Sequence, residues 1–412
     1  MFRCTQFVVC FCLTICFGLS LATAQQWADY RGPNGDGTAT TEANLEGELK
    51  VDWKVPTENG FSSFAVADGK ALTLVARGKR EVCIAVDAET GNEIWATNLG
   101  QEKYDGGGGA GAVGNKGGDG PRSTPTISDG HVYVYDAQLK LYCLELETGK
   151  PVWSQDILND FQGINIRWQN ATSPVADEGR VFVGGGGAGR SMLAFDKKSG
   201  KLVWKQGNEK MTHATPIMAT IDGKQQIIFF MQSGMIAMEP ETGKQIWRNQ
   251  FNYSVSTASS PVVFDEFVYG SAGYNVGAKL FKVSGSQSEM VWEKPNRLIN
   301  HWSTPVYYKG HLYGMFSFKK YGRGPLQCID PMTGEIKWSE NGFGPGNCII
   351  VNDKIVALSD DGHLVIASAS PDGYTELSRN QVLDGKCWSM PAVDGGKIYL
   401  RSTTHGTRVS FK

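Results

Sequence analysis

The chain has 412 residues, of which 41% are hydrophobic and 20% charged, and its 40 basic and 42 acidic residues leave a formal net charge of -2. This composition is typical of a globular protein with a large core or several domains. Because the charges balance and no dense run of Lys and Arg occurs, we do not expect nucleic acid as a partner.

Residues 1–24 are predicted to be a secretory signal peptide. An apolar run extends from Phe7 to about Leu21, and Ala22-Thr23-Ala24 has the small residues of a cleavage site. The run is shorter than the ~18 to 20 residues of a spanning helix, which disfavours a retained membrane anchor. We therefore expect cleavage after Ala24 and export to the periplasm or the extracellular space. The sequence LTIC, ending at Cys16, leaves a lipoprotein signal as the alternative.

Five cysteines follow the predicted signal peptide: Cys83, Cys143, Cys328, Cys348 and Cys387. An odd number in an exported protein leaves at least one free thiol, so a disulfide scaffold is not predicted. No pair has CxxC or zinc-type spacing. The first three occupy one position of a repeat, which predicts small buried hydrophobic residues.

A repeat runs through the remainder of the chain. The phrase TG-x-x-[IV]-W occurs as ETGNEIW, ETGKPVW and ETGKQIW, with KSGKLVW as a variant, and the marker tryptophans lie 43 to 58 residues apart. A second marker is a tripeptide, usually rich in Ser and Thr, whose last residue we call the anchor of the unit. The eight anchors are Phe64, Pro125, Pro174, Pro216, Pro261, Pro305, Cys348 and Pro391.

Each unit has the pattern of short antiparallel strands. Apolar and polar residues alternate with period two between Gly, Asp and Asn turns, without a helical segment of useful length. Four strands in ~40 to 45 residues make one propeller blade. We predict an all-β fold, an eight-bladed β-propeller of four-stranded antiparallel blades over residues 49–412, preceded by a leader segment at 25–48.

The ends of the chain predict how the ring closes. The last anchor lies only 21 residues before Lys412, too few for a whole blade, whereas the segment Leu49 to Val55 carries an extra tryptophan. This N-terminal strand is predicted to complete the C-terminal blade, which removes exposed sheet edges. One flat aromatic ring per blade is predicted to dock on the next blade, with Leu377 replacing it in blade seven. The docking residues are Trp53, Trp95, Trp153, Trp204, Trp247, Trp292 and Trp338.

The repeat, as in AVDAETGNEIW and LELETGKPVW, resembles that of the pyrroloquinoline quinone (PQQ) dehydrogenase family, and eight units in an exported chain also resemble the outer-membrane assembly propellers of the BamB type. The likeness covers about residues 49–412. WADYRGPNGDG, at 27–37, is similar to the openings of exported PQQ-repeat-like proteins of unassigned function. The repeat is specific for the fold and weak for the activity.

The resemblance to the dehydrogenases implies a quinone stacked between a tryptophan and a vicinal Cys-Cys disulfide, with a calcium ion and an aspartate base. The sequence has no adjacent cysteine pair and no CxxCH motif, and no calcium ligand or catalytic Asp can be matched to a family motif. We therefore expect no cofactor and no metal. PQQ with calcium is the alternative, with single residues such as Cys387 and Trp388 in place of the disulfide.

Candidate binding residues lie just before the anchors, where the loops of all blades are predicted to converge on one rim of the central channel. Aromatic faces beside Arg, His and Asn suit a planar or sugar-like ligand. The alternatives are that these side chains plug the channel or that the rim binds a protein. The candidates are Arg122, Trp168, Asn170, His213, His301, Trp302, Lys386 and Trp388.

Other motifs do not predict a catalytic site. GGGGAG, Gly184 to Gly189, precedes the strand MLAFD instead of the helix that a dinucleotide fingerprint requires. His213 and His301 belong to different blades, which disfavours a shared metal. Residues 104–120 form a Gly-rich insertion, predicted to be a mobile loop and a candidate lid.

We therefore expect an exported, monomeric propeller that acts by binding, as a scaffold or recognition module at the cell envelope. Its partner would be an envelope protein or a small or sugar-like ligand. The alternative is a PQQ-dependent oxidoreductase acting on alcohols or sugars.

Overall fold

The computed structural model describes Met1 and residues 26–101, 120–251, 256–316 and 322–412. The predicted signal peptide beyond Met1 and the Gly-rich insertion up to residue 119 lie outside these residues. Within them the chain forms eight four-stranded antiparallel blades, which confirms the predicted propeller. Among the same residues, no helix has the length and apolar character needed to cross a bilayer.

The first two strands come from the leader and the ring-closing segment: β1 (Thr38–Ala39) and β2 (Leu49–Pro56). The next four blades follow in chain order, each from its innermost to its outermost strand. Blade one has β3 (Ala65–Ala67), β4 (Lys70–Arg77), β5 (Arg80–Asp87) and β6 (Glu93–Gln101). Blade two has β7 (Thr126–Ser128), β8 (His131–Tyr135), β9 (Lys140–Glu145) and β10 (Pro151–Asp156), followed by the short helix α1 (Ile157–Asp160). Blade three has β11 (Val175–Ala176), β12 (Arg180–Gly184), β13 (Met192–Asp196) and β14 (Leu202–Gln206). Blade four has β15 (Ile217–Ile221), β16 (Lys224–Met231), β17 (Gly234–Met238) and β18 (Gln245–Arg248).

The second half of the ring repeats the arrangement. Blade five has β19 (Val262–Phe264), β20 (Phe267–Ala272), β21 (Gly277–Ser284) and β22 (Gln287–Pro295). Blade six has β23 (Val306–Tyr308), β24 (His311–Met315), β25 (Leu326–Asp330) and β26 (Glu335–Glu340). Blade seven has β27 (Asn347–Val351), β28 (Lys354–Leu358), β29 (His363–Ser368) and β30 (Glu376–Gln381). Blade eight has β31 (Ala392–Asp394), β32 (Lys397–Arg401) and β33 (His405–Phe411), and its fourth strand is β2.

The ring closes as the sequence predicts. β2 pairs antiparallel with β33 from Leu49–Phe411 to Pro56–His405. The side chain of Arg408 strengthens this junction, because Nε lies 3.2 Å from Asp52 and Nη1 donates to the Ala88 carbonyl of blade one at 2.7 Å. The N-terminal strand is thus joined to blade eight by backbone pairing, and blade eight is joined to blade one by side-chain hydrogen bonds to the Ala88 carbonyl.

The core consists of apolar layers between neighbouring blades. Between blades one and two, Leu72 and Leu74 pack with Val132 and Leu144 around the ring of Trp95, and all but the ring are fully buried. Equivalent layers separate the other blades. Cysteines 83, 143 and 328 lie in these layers with no exposed surface, as predicted.

A β-bulge recurs in the outermost strand of each blade. It leaves the residue before the marker tryptophan without a partner in the pairing register. In blade one, Ala85 pairs with Trp95 and Val86 with Glu93, so that one residue is skipped. The extra residue turns the strand and aims the ring at the next blade. In blade seven the skipped residue is Leu377, which is 39% exposed, and Ser378 occupies the tryptophan position. The prediction that Leu377 docks there is therefore wrong by one residue, because the bulge shifts the register.

The threonine-glycine turn and the tryptophan of the repeat meet across blade boundaries. The indole N–H of Trp95 donates to the Leu146 carbonyl of blade two at 2.9 Å. Gly149 of the same turn has a φ of +69°, and a Cβ there would lie 2.5 Å from the Trp95 ring. Glycine is required both for its backbone conformation and for this close approach. The same glycine contact is made by Trp53 with Gly91, Trp153 with Gly200 and Trp204 with Gly243.

The hydrogen-bond acceptor of each remaining docking tryptophan depends on the turn in the next blade. Trp292 donates to the Pro331 carbonyl of blade six at 3.0 Å, and Trp338 donates to the Ser370 carbonyl of blade seven at 2.7 Å. Trp247 faces blade five, which lacks the threonine-glycine turn. Its indole N–H instead donates to Gln226 of its own blade at 2.7 Å, and the ring is 1% exposed.

The described leader, residues 26–48, lies against the inner edges of several blades. Trp27 forms a β-bridge with Val66 of blade one. β1 pairs in parallel with the end of β27 in blade seven. The guanidinium of Arg31 donates to the carbonyls of Thr304 and Pro305 in blade six, both at 3.0 Å. The leader is therefore part of the packed structure of the channel.

Candidate functional site at the two ends of the channel

The central channel has two chemically different ends. The innermost strands run in the same direction, so all the anchors lie at one end, which we call the anchor face. The turns that follow these strands lie at the other end, which we call the turn face. The candidate residues before the anchors belong to the anchor face, whereas β1 meets the last two residues of β27 toward the turn face.

Three aromatic rings form a continuous arrangement at the anchor face, here called the aromatic stack. The ring centroids of Phe61 and Trp388 are 5.1 Å apart, with 25° between their planes. Those of Trp388 and Trp302 are 5.0 Å apart, with 11° between their planes. Each such pair contributes about 0.5 to 1.5 kcal/mol beyond its area burial. Two candidate tryptophans, from blades six and eight, thus cover each other's faces.

The stacked residues share one repeat position. Phe61, Trp302 and Trp388 each stand three residues before an anchor. At this position the remaining blades have Arg122, Ala171, His213, Ala258 and Pro345. The repeat therefore places one side chain per blade at the mouth of the channel. Phe61 was not among the predicted residues, although this shared spacing identifies it.

Arg122, Trp168 and His213 form a second cluster at the anchor face. Arg122 donates to the backbone carbonyl of Trp168, and the rings of Trp168 and His213 are 6.2 Å apart. His213 Nε2 lies 2.9 Å from the Gln169 carbonyl, and Nδ1 lies 2.9 Å from the Ser256 hydroxyl. Burial, helped by the charge of Arg122, lowers the pKa of His213 to about 3. His213 is therefore neutral at neutral pH and links three loops.

Asn170 and His301 are buried among backbone groups. The Asn170 amide donates to the Asp136 carbonyl at 3.2 Å, and its side chain is 1% exposed. His301 Nδ1 accepts the Gly273 N–H at 3.3 Å, and its ring packs edge-on against Tyr274 with centroids 5.2 Å apart. Both side chains are almost fully buried, and the His301 ring also lies 5.6 Å from that of Trp302.

Lys386 lies at the edge of the aromatic stack. Its ammonium is 5.6 Å from the ring centroid of Trp388 and 3.9 Å from a carboxylate oxygen of Asp360. Asp360 also accepts the Gly322 N–H at 3.0 Å, and burial raises the pKa of its carboxyl. The cation is thus held over an aromatic ring by a buried acid.

The residues at the anchor face do not fit a quinone cofactor. A flat ligand between Trp302 and Trp388 would need roughly twice their spacing, since each aromatic pair stacks at about 4.5 to 7 Å. Cys387, the residue beside Trp388, has no exposed surface. Within the described part of the chain, no three His, Cys, Asp or Glu side chains are grouped as metal ligands.

The turn face contains a half-open cleft of about 920 Å³, here called the channel cleft. Leader residues 29–36 form one wall, and the innermost strands of blades three, four and five form the other. This cleft was not predicted from the sequence. The leader phrase WADYRGPNGDG supplies one wall of the cleft, but no local pattern indicated where a segment outside the repeat would pack.

Two charged leader residues border the channel cleft. The Arg31 guanidinium donates to the carbonyls of Gly35 and Asp36 as well as to those of blade six, and the side chain is 1% exposed. Arg31 therefore fastens the leader to the propeller. Burial raises the pKa of Asp29 to about 7, although a hydrogen bond with Thr126 acts in the opposite direction.

Known proteins similar to this chain include an assembly factor and a dehydrogenase. The outer membrane protein assembly factor BamB of Shewanella oneidensis is 24% identical over 341 residues, 77% of this chain and 76% of that protein. The quinoprotein ethanol dehydrogenase of Pseudomonas aeruginosa is 28% identical over 155 residues, 32% of this chain and 23% of that protein.

Solved structures give the same picture. The quinohemoprotein alcohol dehydrogenase of Comamonas testosteroni has a TM-score of 0.67 at 14% identity, covering 93% of this chain and 80% of that one. BamB of Moraxella catarrhalis has a TM-score of 0.62 at 16% identity, covering 89% of this chain and 98% of that one. At these identities the likeness shows the fold alone.

A sequence profile of the family described as outer membrane protein assembly factor BamB matches residues 78–340. The match spans 263 of the 412 residues and most of the repeats identified above. The chain therefore belongs to this PQQ-repeat family of β-propellers.

Proposed function

We propose that the protein is exported and acts at the cell envelope as a non-catalytic binding scaffold in the assembly of outer-membrane proteins. The single observation that carries the proposal is the aromatic stack. Trp302 and Trp388, two members of the predicted ligand-binding rim, cover each other with centroids 5.0 Å apart, which leaves no space between them for a planar cofactor. The family described as outer membrane protein assembly factor BamB adds support, because it names an assembly role.

The electrostatics of the anchor face support binding over proton-transfer chemistry. His213 has both ring nitrogens engaged and a pKa lowered to about 3, so it would exchange no proton near neutral pH. Asp360, which lies beside Lys386 at the edge of the aromatic stack, is 2% exposed and faces the ammonium of that lysine. These groups hold loops together, and the partner surface of the scaffold would lie elsewhere on the ring.

The alternative, a PQQ-dependent oxidoreductase, is favoured by the likeness to alcohol dehydrogenase propellers. It requires the aromatic stack to open and a ring to enter between its members. Quinone-dependent reduction of a redox dye, lost in Trp388→Ala, would support this alternative and contradict the scaffold.

The proposal is tested in the organism that encodes the chain. Deletion of the gene is expected to lower the amount of folded outer-membrane β-barrel proteins, measured from their heat-modifiable migration on gels. Re-expression of the wild-type chain and of Trp388→Phe should restore it equally, because neither result depends on a cofactor. Unchanged barrel levels after deletion would contradict the assembly role.

A further inference from the structure

The innermost strands of blades four and seven differ from the others in length. Among the described strands, β15 and β27 each have five residues, and the other innermost strands have two or three. The inner edge of β27 is covered, because β1 of the leader pairs with it in parallel. The same chain therefore already uses an inner edge of the propeller to add a strand.

The inner edge of β15 faces the channel cleft. On its outer side β15 pairs with β16 from Ile217–Ile228 to Ile221–Lys224, and no described residue pairs with its other side. Alternate residues of an edge strand direct their N–H and C=O groups away from the paired neighbour. Met218 and Ala219 are partly exposed and Thr220 is exposed, and all three line the channel cleft.

Carboxylates outnumber cations around the channel cleft. Its lining contains six acidic side chains, Asp29, Asp36, Asp177, Glu178, Glu241 and Asp265, and two basic ones, Arg31 and Arg180. Arg180 is paired with Asp177 at 2.8 Å and with Glu241 at 3.1 Å, and the Arg31 guanidinium donates to backbone carbonyls. Glu178 and Asp265 form no salt bridge within the described residues, so the cleft retains a negative potential.

We propose that the channel cleft binds an extended polypeptide segment of a partner protein that carries basic side chains and adds a strand to β15. The inference rests on the proposed scaffold function and gives that scaffold a binding site. Backbone hydrogen bonds to β15 would supply affinity, and the carboxylates would select for Lys and Arg. The volume of about 920 Å³ is within the range of roughly 300 to 1,000 Å³ that is usual for ligand sites.

An extended peptide fits the site better than an isolated cation does. A lone cation would be satisfied by Glu178 and Asp265 but would leave the open groups of Met218 and Thr220 unused. A strand uses both, because its backbone pairs with β15 while alternate side chains reach the acidic rim. Apolar side chains on its other face would contact Val263 and Phe264, which also line the cleft.

The test uses the purified chain and a fluorescein-labelled peptide of eight alternating Lys and Val residues. Fluorescence anisotropy is expected to give saturable binding. A peptide with Glu in place of Lys should bind at least about tenfold more weakly, because its charge matches that of the rim. A Lys-Val peptide with alternate backbone amides methylated should lose a similar factor, because methylation removes donors needed for strand pairing.

Variants of the protein locate the site. Glu178→Gln combined with Asp265→Asn should weaken binding about fivefold or more at low salt. The matched control, Glu289→Gln with Glu335→Gln on the outer strands of blades five and six, should leave the affinity unchanged. Hydrogen exchange at the amides of Met218 and Thr220 should slow when the peptide is bound.

Three results would overturn the inference: no saturable binding, equal affinity for the methylated peptide, or equal effects of the cleft and control variants. The outcome is distinct from that of the deletion experiment. If the cleft variant restored normal barrel levels in the deletion strain, the scaffold function would be supported, but the channel cleft would have no part in it.

Discussion

Trp302 of blade six and Trp388 of blade eight lie face to face at the mouth of the channel, 5.0 Å apart and 11° from parallel. They belong to blades that are not neighbours in the ring, so their contact passes over blade seven. Phe61 also stacks on Trp388, so aromatic rings from blades one, six and eight meet at the anchor face.

The aromatic stack should contribute to stability. Trp388→Ala removes the ring contacts with Phe61 and Trp302 and is expected to lower the free energy of unfolding by about 2 to 3 kcal/mol, less than a fully buried ring because Trp388 is half-buried. Urea unfolding measures the change. Trp168→Ala, at the same face but outside the stack, is the control and should lose less. Equal losses of unfolding free energy in the two variants would mean that the stacked contacts add no stability beyond that of a half-buried tryptophan outside the stack.

Contact between neighbouring blades can be separated from backbone strain by two glycines. Gly243 and Gly223 have φ of +69° and +71°, but a Cβ would lie 2.5 Å from Trp204 at Gly243 and would meet nothing within 4 Å at Gly223. Gly223→Ala should cost about 1 to 2 kcal/mol from its left-handed backbone alone. Gly243→Ala should cost about 1 to 3 kcal/mol more, from overpacking. Similar denaturation midpoints for both variants would refute the proposed contact between glycine and tryptophan.

Arg408 should be essential to ring closure. It contacts Asp52, the Ala88 carbonyl and Glu89, and Arg408→Met would leave the nearly buried Asp52 without its guanidinium partner. We expect a loss of about 2 to 4 kcal/mol in chemical unfolding. The matched change Lys54→Met removes an exposed pair with Asp384 and should cost less than about 1 kcal/mol. A stable Arg408→Met protein would show that the β2–β33 backbone pairing is sufficient.

The pH dependence of stability should report on Asp29. Its pKa is raised to about 7 in the folded chain, whereas an unfolded Asp titrates near ~3.9. Between these values the folded state binds a proton that the unfolded state has lost, so the contribution of Asp29 to stability falls as the pH rises and levels off above about pH 7.

The side chain introduced by Asp29→Asn cannot ionise, so this variant does not lose that contribution to stability as the pH rises. Its melting temperature should match the parent near pH 4 and exceed it near pH 8. Glu178→Gln, an exposed change in the same cleft, serves as the control. A difference between Asp29→Asn and the parent that is the same at both pH values would contradict the raised pKa.

The repeat made the fold predictable because each blade carries the same local pattern. Alternation, turns and the extra tryptophan of residues 49–55 determine the strands and the closure of the ring, and all of these are local or periodic features. Leu377 was misplaced because a bulge changes the register by one residue, which hydrophobicity does not reveal. Trp247 donates to Gln226 of its own blade because the next blade lacks the threonine-glycine turn. The sequence of one unit alone does not reveal this.

The site was only partly predictable. The convergence of the loops before the anchors on one rim could be predicted, since the direction of the innermost strands determines which end of the channel they reach. Which rings would contact each other depends on side-chain reach across the channel, and Phe61 and the leader contacts were missed for that reason. Arg31 shows the limit most clearly, because its partners are backbone carbonyls of blade six, about 270 residues away.

The most direct test of the central claim is a calorimetric titration of the purified chain with pyrroloquinoline quinone, in the presence and in the absence of calcium. A closed aromatic stack that acts structurally predicts no binding heat from a folded protein under either condition. Micromolar, calcium-dependent binding that is lost in Trp388→Ala would contradict it and would identify the anchor face as a cofactor site.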